Sequence, residues 1–167
     1  MKIFIVGFMY SGKTTFGKKI ANTLSLKHID TDKYFEEKYN ISINDFFEKY
    51  SEDSFRKLEH EILLEIIKQD NIVVSTGGGL PCYYNNMDIM NKEGKTIYLN
   101  MSFSEIISRQ RHSKRIRPLL KNKTQEECLV FIKDLLEERE KTYKKSQITI
   151  KGRDIKKSET LNMLRFL

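Results

Sequence analysis

One stretch near the start of the chain combines the residue types and the spacing that bind phosphate groups. Residues 7–14, Gly-Phe-Met-Tyr-Ser-Gly-Lys-Thr, fit the pattern G-x-x-x-x-G-K-[ST] at every fixed position. In such a P-loop the backbone N–H groups at a helix N-terminus point at anionic phosphates. Lys13 can then reach the outer phosphates, and the Thr14 hydroxyl can ligate Mg²⁺. An ordinary strand-turn-helix connection is the alternative, but the strand pattern before the motif and the helix pattern after it favour phosphate binding.

A pair of carboxylates follows a second short strand pattern. Asp30 and Asp32 stand on either side of Thr31, where residues 27–30 end. Because ligands sit at the carboxyl ends of strands in an open parallel sheet, we expect both carboxylates to face the phosphate site. One could hold the water shell of a metal ion while the other accepts a proton from a substrate hydroxyl. Asp32 would also suit the N-cap of the following helix, which is the alternative interpretation.

Three consecutive glycines follow a third strand pattern. Residues 72–75 are Ile-Val-Val-Ser, and Thr76 separates them from Gly77, Gly78 and Gly79. Three glycines in a row are too costly in conformational entropy for an ordinary turn, so we expect them to let a ligand approach the backbone closely. A tight strand-to-helix connection is the alternative.

Three arginines are candidates for binding an anionic group. Arg56, Arg117 and Arg139 each carry a planar guanidinium that can bind a carboxylate through two hydrogen bonds. Each arginine taken alone fits an exposed surface charge better than a ligand contact, and Arg56 can pair with Glu59 one turn later on a helix surface. The arginines gain weight only in combination with the other motifs.

Strand patterns alternate with helix patterns along the chain. Such alternation predicts an α/β fold with a parallel sheet that helices cover on both faces. The predicted strands are Lys2–Val6, Lys27–Asp30, Ile72–Ser75, Thr96–Leu99 and Ile148–Ile150. The predicted helices are Lys13–Leu24, one or two within residues 32–50, Glu52–Lys68, Ser102 to about Arg111, Thr124 to about Tyr143, and one from about Ser158. Residues 112–123 are basic and lack periodicity, so we interpret them as a mobile loop.

Composition restricts the class of protein. The 167 residues suit one domain, and 39% hydrophobic with 32% charged residues indicates a soluble globular chain. No apolar run approaches the ~20 residues of a membrane span, and residues 1–6 resemble a strand rather than a signal peptide. With only Cys82 and Cys128 we expect neither a disulfide nor a cysteine zinc site, and a cytoplasmic location. The net charge of +7 fits an anionic ligand, a nucleic acid or a lysine-rich surface.

Taken together, the motifs resemble those of the shikimate kinase family, in the same order over nearly all of the chain. The matching segments are the P-loop at residues 7–15, D-x-D at 30–32, F-R-x-x-E at 55–59, the glycine triplet at 76–79, R-P-L-L at 117–120 and R-x-x-x-Y at 139–143. The resemblance implies a P-loop NTPase fold with a five-stranded parallel sheet and a mobile lid. It also implies one kinase domain over residues 1–167, with the lid at about 112–123 and a substrate-binding helical segment at about 32–60.

The resemblance further implies transfer of the γ-phosphoryl group of ATP to the 3-hydroxyl of shikimate. Catalysis would fall to Lys13, Asp32 and Arg117. The implied ATP-binding residues are Gly7, Tyr10, Ser11, Gly12, Lys13, Thr14, Thr15 and Arg117. Mg²⁺ would be held by Thr14 and, through water, by Asp30. The implied shikimate-binding residues are Asp32, Arg56, Gly77, Gly78, Gly79 and Arg139.

Two departures from the family pattern affect the ATP side. The family usually has a second glycine where this chain has Tyr10, and a positive φ there would cost tyrosine about 1 kcal/mol or more and could weaken ATP binding. The family also often has an arginine before the lid that packs near adenine. Arg109, Gln110 and Arg111 all lie close to that position, and the sequence does not choose among them.

Other functions remain as alternatives at this stage. A gluconate or nucleotide kinase could share the fold, although a nucleotide kinase does not need the carboxylates, arginines and glycine triplet together. A catalytically silent P-loop protein could bind nucleic acid through its charge, yet no nucleic-acid-binding motif is present. We therefore expect a small-molecule substrate, no nucleic acid, no membrane and a monomer.

Overall fold

The computed structural model describes residues 1–113 and 118–152. Two sequence predictions lie outside this part of the chain. One is the role of Arg117, and the other is the terminal helix from about Ser158.

A five-stranded, all-parallel sheet with strand order β2-β3-β1-β4-β5 forms the centre of the fold. The strands are β1 Lys2–Val6, β2 Lys27–Asp30, β3 Ile72–Ser75, β4 Lys95–Asn100 and β5 Ile148–Lys151. All five predicted strands are confirmed, with β4 longer by one residue at each end and β5 longer by one. The P-loop strand β1 is central, so the loop that follows it lies between the ends of β3 and β4.

The two faces of the sheet are covered by different sets of side chains. Along β1, Ile3 and Ile5 pack on one face with Phe16 and Ile20 of the first helix. The alternate residues of β1 point to the opposite face and join a larger core. This alternation follows from the period of two along a strand, and burial on both faces is the reason that β1 is continuously apolar from Ile3 to Val6.

Seven α-helices occur in residues 1–113 and 118–152. They are α1 Lys13–Leu24, α2 Thr31–Tyr39, α3 Ile43–Lys49, α4 Glu52–Ile66, α5 Asn86–Glu93, α6 Phe103–Arg111 and α7 Gln125–Tyr143. Ser102 and Thr124, predicted as the first helical residues, are instead N-caps whose capping boxes are completed by Glu105 and Glu127. No helix in these residues is long and apolar enough to cross a membrane.

The sequence interpretation did not include α5. Its segment, Asn-Met-Asp-Ile-Met-Asn-Lys-Glu, is only eight residues long, holds two asparagines and an aspartate, and lacks a capping side-chain hydrogen bond at its start. Its place is set by burial of Met87 and Met90 in the larger core. A short 3₁₀ turn at Leu80–Cys82 leads into this part of the chain.

Candidate active site

A cleft of about 510 Å³ lies at the carboxyl ends of β1, β2 and β3. Twelve of the predicted site residues line it, namely Tyr10, Gly12, Lys13, Thr14, Thr15, Asp30, Asp32, Arg56, Gly77, Gly78, Gly79 and Arg139. Gly7 and Ser11 belong to the same loop but do not line the cleft, and Arg117 is outside the described residues. One cavity therefore combines the phosphate motif with the carboxylates and two arginines.

The P-loop turns sharply between β1 and α1. Gly7 and Gly12 both have positive φ, 147° and 90°, and Gly12 is the N-cap of α1. The ammonium of Lys13 donates hydrogen bonds to the carbonyls of Gly7 at 2.9 Å and Phe8 at 2.8 Å. The loop thereby fixes the lysine at the N-terminus of α1, where anionic phosphates are favoured.

Tyr10 occupies the left-handed region that the sequence comparison raised as a possibility. Its φ is 63°, a conformation that costs a non-glycine residue of order 1 kcal/mol. The ring packs against the larger core. A weaker ATP affinity than that of a glycine variant stays a prediction.

Of Arg109, Gln110 and Arg111, it is Arg109 that donates side-chain hydrogen bonds to the P-loop. Its Nη1 donates to the carbonyls of Ser11 at 3.0 Å and Tyr10 at 3.3 Å. Gln110 and Arg111 line a different cavity, which also borders Tyr10. Arg109 therefore supports the back of the P-loop, and which of the three contacts adenine stays open.

Asp30 joins the P-loop helix to the next helix. Its Oδ2 accepts a hydrogen bond from the Thr14 hydroxyl at 2.6 Å, and its Oδ1 accepts from the backbone N–H groups of Asp32 and Lys33. Asp30 is thus the N-cap of α2, and the interpretation that Asp32 caps this helix is wrong. Asp32 lies in the first turn, where its side chain is available to line the cleft.

The glycine triplet contacts acidic side chains at one end and basic side chains at the other. A Cβ placed on Gly77 would lie 2.6 Å from Glu59 Oε1 and 2.8 Å from Asp32 Oδ1. One placed on Gly79 would lie 2.4 Å from Arg56 Nη1, which no real Cβ tolerates. Gly77 and Gly79 therefore leave room for the protein's own charged side chains, which pack directly on the backbone, whereas a Cβ on Gly78 would make only ordinary contacts. The wall of the cleft changes from negative to positive within three residues.

Arg56 is buried, so the interpretation of an exposed helix-surface pair is wrong. It is 4% exposed, and Nη1 donates to Glu59 at 2.6 Å while Nη2 and Nε donate to Glu52 at 2.7 and 3.1 Å. Burial alone would lower the pKa of Arg56, but the two carboxylates outweigh it and raise the pKa above its ordinary value. The guanidinium stays charged beside the glycine triplet.

Sequence reasoning assigned no site role to Glu59. Burial raises the pKa of Glu59 to about 7, the charge of Asp32 adds to this effect, and Arg56 and Arg139 oppose it. Its signal was present in F-R-x-x-E, where the glutamate is three residues after the arginine. Further lining residues to which the sequence analysis assigned no site role are Met9, Glu36, Ile43, Asn44, Phe47, Phe55, Thr76, Pro118 and Leu119. Four of them, Phe55, Thr76, Pro118 and Leu119, belong to the motif segments named above.

Arg139 reaches the same wall from α7. It is 3% exposed, and its Nη1 would lie 3.6 Å from a Cβ on Gly78. The nearby Tyr143 hydroxyl donates to the Gly78 carbonyl at 2.6 Å. Within residues 1–113 and 118–152, no carboxylate forms an ion pair with Arg139. A buried guanidinium that makes no direct ion pair with a described carboxylate favours an anionic ligand.

Sequence reasoning also missed a chain of hydrogen bonds that connects the start of α1 to the strands β3 and β2. Ser75 donates to the carbonyl of Lys13 at 3.0 Å, and His28 Nε2 lies 2.9 Å from the same hydroxyl. Because the serine hydrogen is already used, the histidine must donate from Nε2. Gly17 leaves room for this contact, since a Cβ there would lie 2.3 Å from Ser75 Oγ. Burial lowers the pKa of His28.

Comparison with known proteins gives one consistent result. The family model described as shikimate kinase matches residues 9–165. Shikimate kinase of Azobacteroides pseudotrichonymphae is 43% identical over 148 residues, which are 88% of this chain and 87% of that protein. Shikimate kinase of Parabacteroides distasonis is 40% identical over 148 residues, 89% of this chain and 86% of that protein.

Solved structures agree with the sequence comparison. Shikimate kinase from Bacteroides thetaiotaomicron superposes with a TM-score of 0.89 at 36% identity, covering 99% of this chain and 96% of that one. The Acinetobacter baumannii enzyme, solved in complex with shikimate, has a TM-score of 0.86 at 29% identity, and the match covers 99% of this chain and 93% of that one. A gluconokinase from Sinorhizobium meliloti gives 0.52 at 14% identity, covering 98% and 92%, and shows a shared fold only.

Proposed function

The chain belongs to the shikimate kinase family, and from that premise we propose how its cleft transfers the γ-phosphoryl group of ATP to the 3-hydroxyl of shikimate. The products are shikimate 3-phosphate and ADP. The observation that carries the assignment of roles is the change of charge along Gly77, Gly78 and Gly79. Shikimate has a carboxylate at one end of its ring and hydroxyls at the other, and this wall offers a matching partner at each end.

Arg56 and Arg139 bind the shikimate carboxylate in this proposal. Arg139 has no competing ion pair in the described part of the chain, and Arg56 keeps two N–H groups beyond those that bind Glu52 and Glu59. Two fixed guanidinium groups would orient the ring, which converts binding energy into a lower entropic barrier for transfer. The complex of the Acinetobacter baumannii relative with shikimate supports this substrate.

Asp32 accepts the proton of the attacking hydroxyl. Its carboxylate lies against Gly77 at the acidic end of the wall. As the new bond forms between the shikimate oxygen and the γ-phosphorus, the bond from that phosphorus to the ADP oxygen breaks and the hydroxyl proton passes to Asp32. Glu59 Oε1 lies at the same end of the wall.

Lys13 and the N-terminus of α1 stabilise the charge on the phosphates. Their position beside the carbonyls of Gly7 and Phe8 supports this role. Gly7, Tyr10, Ser11, Gly12, Thr14 and Thr15 complete the proposed ATP site, and Arg117 is proposed to bring a further positive charge from the lid.

Thr14 and Asp30 suit Mg²⁺, because a hydroxyl and a carboxylate oxygen are hard ligands that already lie 2.6 Å apart. We propose that they hold Mg²⁺, Asp30 through water. The ion would neutralise charge on the β- and γ-phosphates.

The whole chain is proposed to act as one kinase domain, with a lid at about residues 112–123 and a substrate-binding segment at about 32–60. Pro118 and Leu119 line the cleft, which supports the lid, and Ile43 and Phe47 of α3 line it from the substrate-binding segment. We also propose a cytoplasmic monomer that binds neither nucleic acid nor membrane. Size-exclusion chromatography with light scattering tests the monomer.

A steady-state assay with ATP and Mg²⁺ tests the function. Shikimate, quinate, gluconate and a nucleoside monophosphate are compared as acceptors, and the product is identified by ³¹P and ¹H NMR. We expect turnover with shikimate at least about 100-fold above the others, because the planar ring carbon that bears its carboxylate fixes the distance and direction from that group to the 3-hydroxyl. Quinate has a tetrahedral, hydroxylated carbon at that position, gluconate is an open chain, and the nucleotide has no carboxylate. Preference for gluconate would contradict the substrate assignment while leaving the kinase fold intact.

A further inference from the structure

The side chain of Arg56 is fixed within its plane by hydrogen bonds. Three of its five N–H groups point at Glu52 and Glu59, which leaves one on each terminal nitrogen. That pair suits a carboxylate bound through two hydrogen bonds. Hydrogen bonds in the plane resist rotation within it but restrain tilting only weakly, so another contact must set the tilt.

Two aromatic rings lie over the guanidinium. The carbon Cζ of Arg56 is 4.8 Å from the centre of the Tyr83 ring and 5.2 Å from that of Phe55. Phe55 also lines the cleft, whereas Tyr83 does not. We propose that Tyr83 is a positioning residue that sets the tilt of Arg56 and thereby controls affinity for the shikimate carboxylate, an inference that rests on the proposed function.

The segment that carries Tyr83 is itself fixed. Tyr84 and Asn85 have positive φ, 51° and 56°, a conformation that asparagine tolerates but that is unfavourable for tyrosine. Asn86, fully buried, donates to the Leu80 carbonyl at 2.8 Å. Its Oδ1 lies 2.6 Å from His60 Nδ1 and must accept that hydrogen bond.

His60 connects this segment to the helix of Arg56. It lies four residues after Arg56 on α4, and its ring stacks on Tyr84 at 5.1 Å with an angle of 25° between the planes. Residues 56 and 60 therefore contact residues 83, 84 and 86 along one face of the helix. The helix anchors the segment through His60, and the segment orients Arg56 through Tyr83.

The inference predicts a selective defect. Tyr83→Leu removes the π face, and Tyr83→Phe keeps the face and removes only the hydroxyl. A cation–π contact of a partly desolvated arginine corresponds to roughly 5- to 30-fold in affinity. We expect Tyr83→Leu to raise the Kd and KM for shikimate by that factor, with the KM for ATP changed less than about twofold. Tyr83→Phe should behave like the parent.

Calorimetric titration and steady-state kinetics are measured on the full chain, with melting temperatures recorded in parallel. His60→Leu is the second variant, because it loosens the segment without touching Arg56, and a smaller increase in shikimate KM is expected. The methyl ester of shikimate should show little difference between the parent and Tyr83→Leu, since its carboxylate charge is absent.

The positioning role would be overturned if Tyr83→Leu weakened the affinities for shikimate and for ATP equally. It would also be overturned if Tyr83→Phe lost as much shikimate affinity as Tyr83→Leu. A Tyr83→Leu variant whose melting temperature changes while its shikimate affinity stays at the parental value would also overturn that role. Failure of the parent itself to bind shikimate would instead contradict the proposed function, so the two failures are distinguishable.

Discussion

The Thr14 hydroxyl donates a hydrogen bond of 2.6 Å to Asp30 Oδ2, and this contact joins the P-loop to the Asp-Thr-Asp segment. The other oxygen of the same carboxylate caps α2. Asp30 therefore has two separable roles, since one oxygen faces the proposed metal ligand and the other faces a helix N-terminus.

Substitution of Asp30 can separate these roles. Asp30→Asn keeps an oxygen that caps α2 almost equally well, so the free energy of unfolding should change by less than about 0.5 kcal/mol. The lost negative charge should raise the Mg²⁺ concentration for half-maximal activity by roughly 10-fold. Asp30→Ala should show the same Mg²⁺ effect and also lose about 0.5–2 kcal/mol of stability. Magnesium titrations and urea unfolding measure both, and an unchanged Mg²⁺ requirement in Asp30→Asn would remove Asp30 from the metal site.

Lys13→Ala should abolish turnover in a folded protein. The ammonium stabilises charge on the transferred group, and loss of such a group typically costs 10²–10³ or more in kcat. Circular dichroism and the kinase assay are run on the same sample. Near-normal kcat in a folded variant would end the P-loop assignment.

Asp32→Asn should lower kcat by roughly 10²-fold or more while leaving shikimate affinity within a few-fold. The variant keeps the size of the side chain but cannot accept the hydroxyl proton. Because Asp30 caps α2, the helix should remain intact in far-ultraviolet circular dichroism. A folded Asp32→Asn variant with parental kcat would exclude the proton-acceptor role.

Arg139→Ala and Arg56→Ala should both weaken shikimate binding, but only Arg56→Ala should also lower the stability of the fold. Each should weaken shikimate by roughly 30-fold or more, because a buried charge-assisted contact is lost. Only Arg56→Ala leaves Glu59 buried without its partner, which should cost about 3–5 kcal/mol of stability. In either variant, the affinity for the methyl ester of shikimate should fall much less than the affinity for shikimate itself. If the ester binds the parent as tightly as shikimate, the arginines do not bind the carboxylate.

Glu59 should make stability fall as the pH rises. Its pKa of about 7 in the folded protein lies above the ordinary value of 4.5, so the folded state holds the proton more tightly. Its contribution is present below pH 4.5, is lost progressively up to about pH 7, and amounts to roughly 3 kcal/mol. Glu59→Gln lacks this dependence, so its stability relative to the parent should improve from pH 4.5 to 8. Urea unfolding at both pH values measures the difference, and parallel changes in the two proteins would contradict a raised pKa.

The local patterns of the sequence were sufficient for the sheet and for the phosphate site. The phosphate loop at residues 7–14 is contiguous in sequence. The strand before it and the helix after it can both be predicted from the pattern of residues that are close to one another along the chain. The segment 86–93 was missed, because its helix depends on burial of two methionines in a core that distant elements build.

The tertiary structure alone decided how the charges of the substrate wall are arranged. Asp30 rather than Asp32 caps α2, and Arg56 is buried between carboxylates rather than exposed. Neither fact follows from sequence spacing, because capping depends on backbone dihedrals and burial depends on which elements pack against a helix. The glycine triplet was predicted to admit a ligand, yet it is first of all the surface on which Glu59, Asp32 and Arg56 pack. Side chains from two separate helices, α2 and α4, meet there only because the crossover connections of a parallel sheet bring its strand ends to one edge.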